Sequence, residues 1–133
     1  MDYLEKSVYC IFVLDSCTDN SESELLSILA NLKISNFCVL RSSSQAPGLA
    51  RNEGLRFSKT EWFMYVDADD YVSGDMSHFM KTYLETNHDA FCVSCDYVIV
   101  DNYENIIERK YAEDNPVSCG IMYRRDLQIG RAH

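Results

Sequence analysis

The sequence predicts an α/β fold: a mostly parallel sheet with flanking helices. Three observations lead there. Short apolar runs rich in strand formers, Val8 to Leu14, Phe37 to Leu40 and Trp62 to Val66, alternate with segments whose apolar residues recur at helical spacing. Polar clusters follow these runs, as expected where a strand passes into a loop. The chain has 133 residues and 47% hydrophobic content, enough for one core but not for a second domain of ordinary size. Residues 1–133 are therefore expected to form a single domain, and the alternation of strand and helix is the signature of a parallel sheet.

Val8 to Leu14 reads as the first strand, followed by the loop Asp15-Ser16-Cys17-Thr18-Asp19-Asn20-Ser21. Ser23 to Leu32 carries Leu25, Leu26, Ile28, Leu29 and Leu32 at helical spacing. Ser21 and Ser23 are capping candidates at its start, and the early Glu22 and Glu24 suit the positive end of a helix. Phe37 to Leu40 is the second strand, and a polar loop from Arg41 to Gln45 leads to Pro47, which suits a first helical turn. Leu49, Ala50, Leu55 and Phe57 mark the apolar stripe of the helix that follows. The third strand, Trp62 to Val66, ends in Asp67-Ala68-Asp69-Asp70. Beyond it the pattern predicts a helix over Met76 to Leu84, a long strand over Phe91 to Val100, and a turn at Asn102 to Asn105. That turn precedes Ile106 to Tyr111, and Gly120 to Tyr123 reads as a last short strand before Arg124-Arg125-Asp126-Leu127.

The formal net charge is −9 with no long acidic block, which reads as a solvated surface. A protein of this sign gains nothing from the counterion release that drives nucleic-acid binding, so no nucleic-acid partner is expected. An anionic nucleotide would have to be met by local arginines or by a divalent cation that reverses the local field. The apolar runs fall far short of a membrane span, and Met1-Asp2-Tyr3-Leu4-Glu5-Lys6 lacks the regions of a signal peptide, so a soluble cytoplasmic protein is expected. The six cysteines then read as buried or half-buried free thiols. Cys92 and Cys95 form a CxxC, but on a strand residues three apart face opposite sides, which serves neither a redox pair nor a zinc clip.

The acidic cluster carries the chemistry. If the third strand continues through them, Asp67 and Asp69 share a face, and Asp70 begins the turn. Two neighbouring carboxylates repel unless something positive lies between them, and Mg²⁺ or Mn²⁺ takes such oxygens while sharing its shell with phosphate. Ligands of open parallel sheets also gather beyond the carboxyl ends of strands. On the residues alone, a turn decorated with aspartates remains the other reading.

Three segments together resemble family 2 glycosyltransferases. Val13-Leu14-Asp15-Ser16-Cys17-Thr18-Asp19-Asn20-Ser21 resembles the family's "VDDGSTDNS" loop, and Gly48-Leu49-Ala50-Arg51-Asn52-Glu53-Gly54-Leu55 its "GxxxARNxGL" helix. Trp62-Phe63-Met64-Tyr65-Val66-Asp67-Ala68-Asp69-Asp70-Tyr71-Val72 is similar to "YIMFLDSDDYV". The resemblance implies a Rossmann-like GT-A fold that binds a nucleoside diphosphate sugar through a divalent metal, Mn²⁺ or Mg²⁺, and transfers the sugar with inversion to an acceptor hydroxyl. The acceptor would be a saccharide or a lipid-linked saccharide. By position, Asp69 and Asp67 are the implied metal ligands, and Asp15, Arg51, Asn52, Asp67 and Asp70 the nucleotide-sugar-binding residues. Arg51 and Asn52 also admit plainer roles, a solvated helix face for the arginine and a loop brace for the asparagine.

Against the family pattern, residues 1–7 are too few to supply the family's first strand and helix, and the acceptor region lies beyond the resemblance. The expectation is therefore the nucleotide-sugar-binding half, truncated at both ends, with no catalytic base assigned among Glu104, Glu108, Glu113 and Asp114. A homodimer that covers the sheet edge left by the missing strand is a further expectation. The alternative is a truncated or degenerate non-catalytic module for nucleotide-sugar binding or interaction.

Overall fold

The computed structural model describes residues 8–115, 117 and 119–125. The segment Met1 to Lys6 and Asp126-Leu127 of the closing turn lie outside the described residues. The chain divides after Lys59 into two compact units.

The first unit holds β1 (Cys10–Asp15), α1 (Ser21–Asn31), β2 (Phe37–Ser42) and α2 (Pro47–Phe57). β1 and β2 pair in parallel, from Cys10 opposite Phe37 to Asp15 opposite Ser42, with α1 as the crossover such a pair requires. Leu29 on α1 is fully buried. The start of α1 has no side-chain cap bond from Asn20; instead the Asp19 carboxylate accepts the Ser21 N–H at 3.0 Å. α2 lies close against β1, since a Cβ added at Gly54 would stand 3.2 Å from Val13 Cγ2.

The second unit holds β3 (Trp62–Met64), α3 (Met76–Thr86), β4 (Cys92–Ser94), β5 (Tyr97–Val100), β6 (Ile106–Lys110) and β7 (Ile121–Arg124). A three-stranded sheet has the order β3-β7-β4, with β7 antiparallel to both neighbours. β3 and β4 therefore run in the same direction and are joined through α3, as the alternation of strand and helix requires. The later strand β7 is inserted between them. Met80, Leu84 and Met122 form the buried core, with Trp62, Met64, Met76, Ala90 and Val93 packed against it.

Among the described residues, ladder pairing is parallel only between β1 and β2, with one isolated parallel bridge from Tyr65 to Cys119. The remaining pairings are antiparallel, so small sheets of mixed direction stand where one mostly parallel sheet was expected. Periodicity reports which face of a strand is apolar, not which strand lies beside it. The long strand expected over Phe91 to Val100 is likewise two strands. Cys95 N–H donates to the Gly120 carbonyl at 3.1 Å while the Asp96 carboxylate accepts the Ala112 N–H at 3.1 Å, so the chain leaves β7 there and pairs with β6 instead.

The cysteines are free; Cys17 is exposed and the other five are half-buried. Cys17 departs from the expected burial because it sits in the polar loop after β1 and not on a strand. No helix among the described residues is long and apolar enough to cross a membrane.

Candidate functional site

The acidic cluster closes the strand that opens the second unit. β3 stops at Met64, Tyr65 makes a single bridge to Cys119, and the Asp70 N–H then donates to the Asp67 carbonyl at 3.0 Å. That bond folds residues 67–70 into a tight turn. Within it, carboxylate oxygens of Asp67, Asp69 and Asp70 all lie within 4.8 Å of one another. The convergence expected of Asp67 and Asp69 is present, but its cause differs. A turn, not alternation along a continuing strand, brings them together, and the same turn adds Asp70.

Asp67 is half-buried while Asp69 and Asp70 are exposed. The nearby Cys119 thiol is pushed up, first by burial and then by the Asp70 charge, with Asp67 adding to it against a backbone hydrogen bond that pulls the other way. The local field is thus negative. Three hard anionic oxygens suit Mg²⁺ or Mn²⁺, which accept carboxylates and keep part of their shell for water or phosphate. With Asp69 and Asp70 exposed, a cation held by these residues would remain accessible from solvent.

The other sequence-predicted residues belong to the first unit. Asp15, the last residue of β1, is half-buried, and its Oδ1 accepts both the Ser44 hydroxyl and the Gln45 N–H at 3.1 Å. Desolvation pushes the Asp15 carboxyl up, but the Gln45 N–H, the Ser44 and Ser42 hydroxyls and the Ser44 N–H together outweigh it and hold the group below the ordinary aspartate value. Arg51 is half-buried and Asn52 exposed, both on α2. Beside the carboxyl ends of β1 and β2, a cleft of about 150 Å³ is lined by Leu14, Cys17, Glu22 and Arg41, among others. The Arg41 guanidinium donates to both carboxylate oxygens of Glu22 across this cleft.

Sequence reasoning missed Ser44 and Gln45 as partners of Asp15, and Arg41 as the partner of Glu22. Neither pair is local: thirty residues separate Asp15 from Gln45 and nineteen separate Glu22 from Arg41. The only signal in the sequence was the run of hydroxyl residues after β2, Ser42-Ser43-Ser44.

Residues 4–130 match the glycosyl transferase family 2 profile. Among curated proteins, the chain is similar to the poly(ribitol-phosphate) beta-N-acetylglucosaminyltransferase TarS of Staphylococcus aureus strains Mu50 and MW2. Each match shows 26% identity over 86 residues. It covers 62% of this chain and 14% of the relative, so the chain corresponds to a small part of those proteins.

Proposed function

Because the chain belongs to glycosyl transferase family 2, we propose that its acidic turn binds a nucleoside diphosphate sugar through Mn²⁺ or Mg²⁺, for transfer of the sugar to an acceptor hydroxyl with inversion. The observation that carries this reading is the convergence of the Asp67, Asp69 and Asp70 carboxylates within 4.8 Å. Asp69 and Asp67 ligate the cation, and Asp70 meets the donor. Such a cation supplies Lewis-acid neutralisation of the charge that grows on a departing diphosphate. In the first unit, Arg51 and Asn52 serve nucleotide recognition, the arginine because its planar fork pairs with phosphate oxygens, and Asp15 acts in support of them. The acceptor is a saccharide or lipid-linked saccharide.

Calorimetric titration with UDP-sugars and GDP-sugars, with and without Mn²⁺, tests the reading. N-acetylglucosamine, the sugar in the relatives' name, is the first donor sugar to try. Binding is expected to require Mn²⁺, and Asp69→Asn is expected to abolish the metal-dependent part. Affinity that is indifferent to both the metal and Asp69 would overturn the assignment. Metal-dependent binding without sugar-nucleotide hydrolysis or transfer would select a binding module that lacks turnover.

A further inference from the structure

We infer that Asp15 is a positioning residue, whose carboxylate holds the β2–α2 connection and thereby fixes the helix that carries Arg51 and Asn52. Their role toward a nucleotide rests on the function proposed above; the role of Asp15 in the loop does not.

β1 and β2 end level, with Asp15 opposite Ser42 and the Ser16 N–H bonded to the Ser42 carbonyl at 2.7 Å. The chain then has only Ser43 to Ala46 in which to reach α2. The entrance of that helix lacks the usual fastening: Ala46 at the N-cap makes no side-chain cap bond, and Pro47 at the first turn has no N–H to offer. Asp15 supplies the fastening from a neighbouring strand. Its Oδ1 accepts the Ser44 hydroxyl and the Gln45 N–H, and the same Ser44 oxygen lies 3.3 Å from the Ala46 carbonyl. Gln45 is held at φ 56, a left-handed conformation uncommon for a residue other than glycine.

The second fixed point of α2 is Gly54, at its close approach to Val13. Val13 and Asp15 are two apart on β1 and so face the same side. One face of β1 therefore grips α2 at both the connection before it and its third turn, and Arg51 and Asn52 lie between those points. The Asp15 oxygen engaged in this grip is spent on the protein's own donors.

Amide hydrogen exchange on the nucleotide-free chain, followed by NMR, reads this directly. Asp15→Ala is expected to speed exchange at the Gln45 amide by roughly tenfold, the scale of one hydrogen bond to a charged group. Asp15→Asn keeps an acceptor oxygen of the same shape and is expected to retain most of the protection. In titrations with a UDP-sugar and Mn²⁺, Asp15→Asn is expected to bind more tightly than Asp15→Ala, because only the asparagine keeps an acceptor for the loop. The Asp15→Ala/Gln45→Gly double variant is expected to recover affinity, because glycine takes the left-handed conformation without a side-chain clash; it also carries the test if Asp15→Ala alone does not fold. Unchanged Gln45 exchange in Asp15→Ala, or equal loss of affinity in Asp15→Asn and in the double variant, overturns the inference. If the unaltered chain shows no Mn²⁺-dependent binding, the proposed function fails while the exchange result still decides the role of Asp15.

Discussion

The Arg124 guanidinium lies 4.7 Å over the ring of Trp62, its partner in the β3–β7 ladder. The same group donates through Nε to the Ala90 carbonyl at 2.6 Å, and through Nη2 to those of Leu84 and Asn87 at 2.7 and 3.1 Å. These carbonyls belong to the last turn of α3 and the chain just past it, where a helix leaves acceptors unsatisfied and favours a cation. One side chain thus ties the sheet of the second unit to the end of its helix. The planar fork meets three carbonyls while its face stacks on the indole, a combination that suits a guanidinium.

Arg124→Lys is expected to lower the stability of the second unit by about 2 kcal/mol, since an ammonium keeps the charge but not the fork. Urea denaturation measures this as a lower midpoint. An unchanged midpoint would mean that the three carbonyls are satisfied without the guanidinium.

Mn²⁺ binding in the absence of any nucleotide is expected to depend on Asp67 and Asp69. Loss of a group that merely supports a metal ligand costs about 10- to 100-fold in affinity, so Asp67→Asn and Asp69→Asn are each expected to cost at least as much. Electron paramagnetic resonance of free Mn²⁺ counts the ion left in solution, and equal retention by both variants would exclude the turn as its site.

The Asp101 carboxyl is held below the ordinary aspartate value, chiefly by the Asn105 N–H and then by the Tyr103 N–H, at 3.0 and 2.8 Å. A depressed folded value means that this group's stabilisation is fully present above the unfolded pKa, about 3.9, and is lost as pH falls through the folded one. Asp101→Asn is accordingly expected to destabilise the β5–β6 hairpin at neutral pH, with the difference from the unaltered chain shrinking below about pH 4. Chemical denaturation across pH 2 to 7 follows that difference, and a gap that stays constant contradicts the argument.

Two glycines of α2 are expected to respond oppositely. A Cβ at Gly48 meets nothing within 4 Å, so Gly48→Ala is expected to stabilise the helix by about 0.5–1 kcal/mol through lost unfolded-state freedom. At Gly54 a Cβ already stands 3.2 Å from Val13 Cγ2, and Gly54→Leu is expected to destabilise by roughly 1–3 kcal/mol through overpacking. Thermal melts of the two variants separate the cases; a shift of the same sign in both would argue against the close contact with β1.

Local features were legible because their causes are local. The apolar stripe of Leu25, Leu29 and Leu32 predicts α1 close to its observed bounds, Ser21–Asn31, and Pro47 marks the start of α2. The acidic cluster was legible for the same reason: its carboxylates are within four positions of one another, so any tight turn collects them. The means of convergence was not legible, since nothing in Trp62 to Val66 announces that β3 stops at Met64.

The sequence by itself determined where most helices and strands form, the family to which the chain belongs, and the three aspartates that share one turn. The tertiary structure alone decided that β7 separates β3 from β4, that Asp15 reaches Ser44 and Gln45, and that Arg124 closes α3. The reason is physical: periodicity and turn chemistry report the state of a residue relative to its neighbours in the chain. A pairing across thirty or forty residues depends instead on which surfaces remain to be covered once every element has formed.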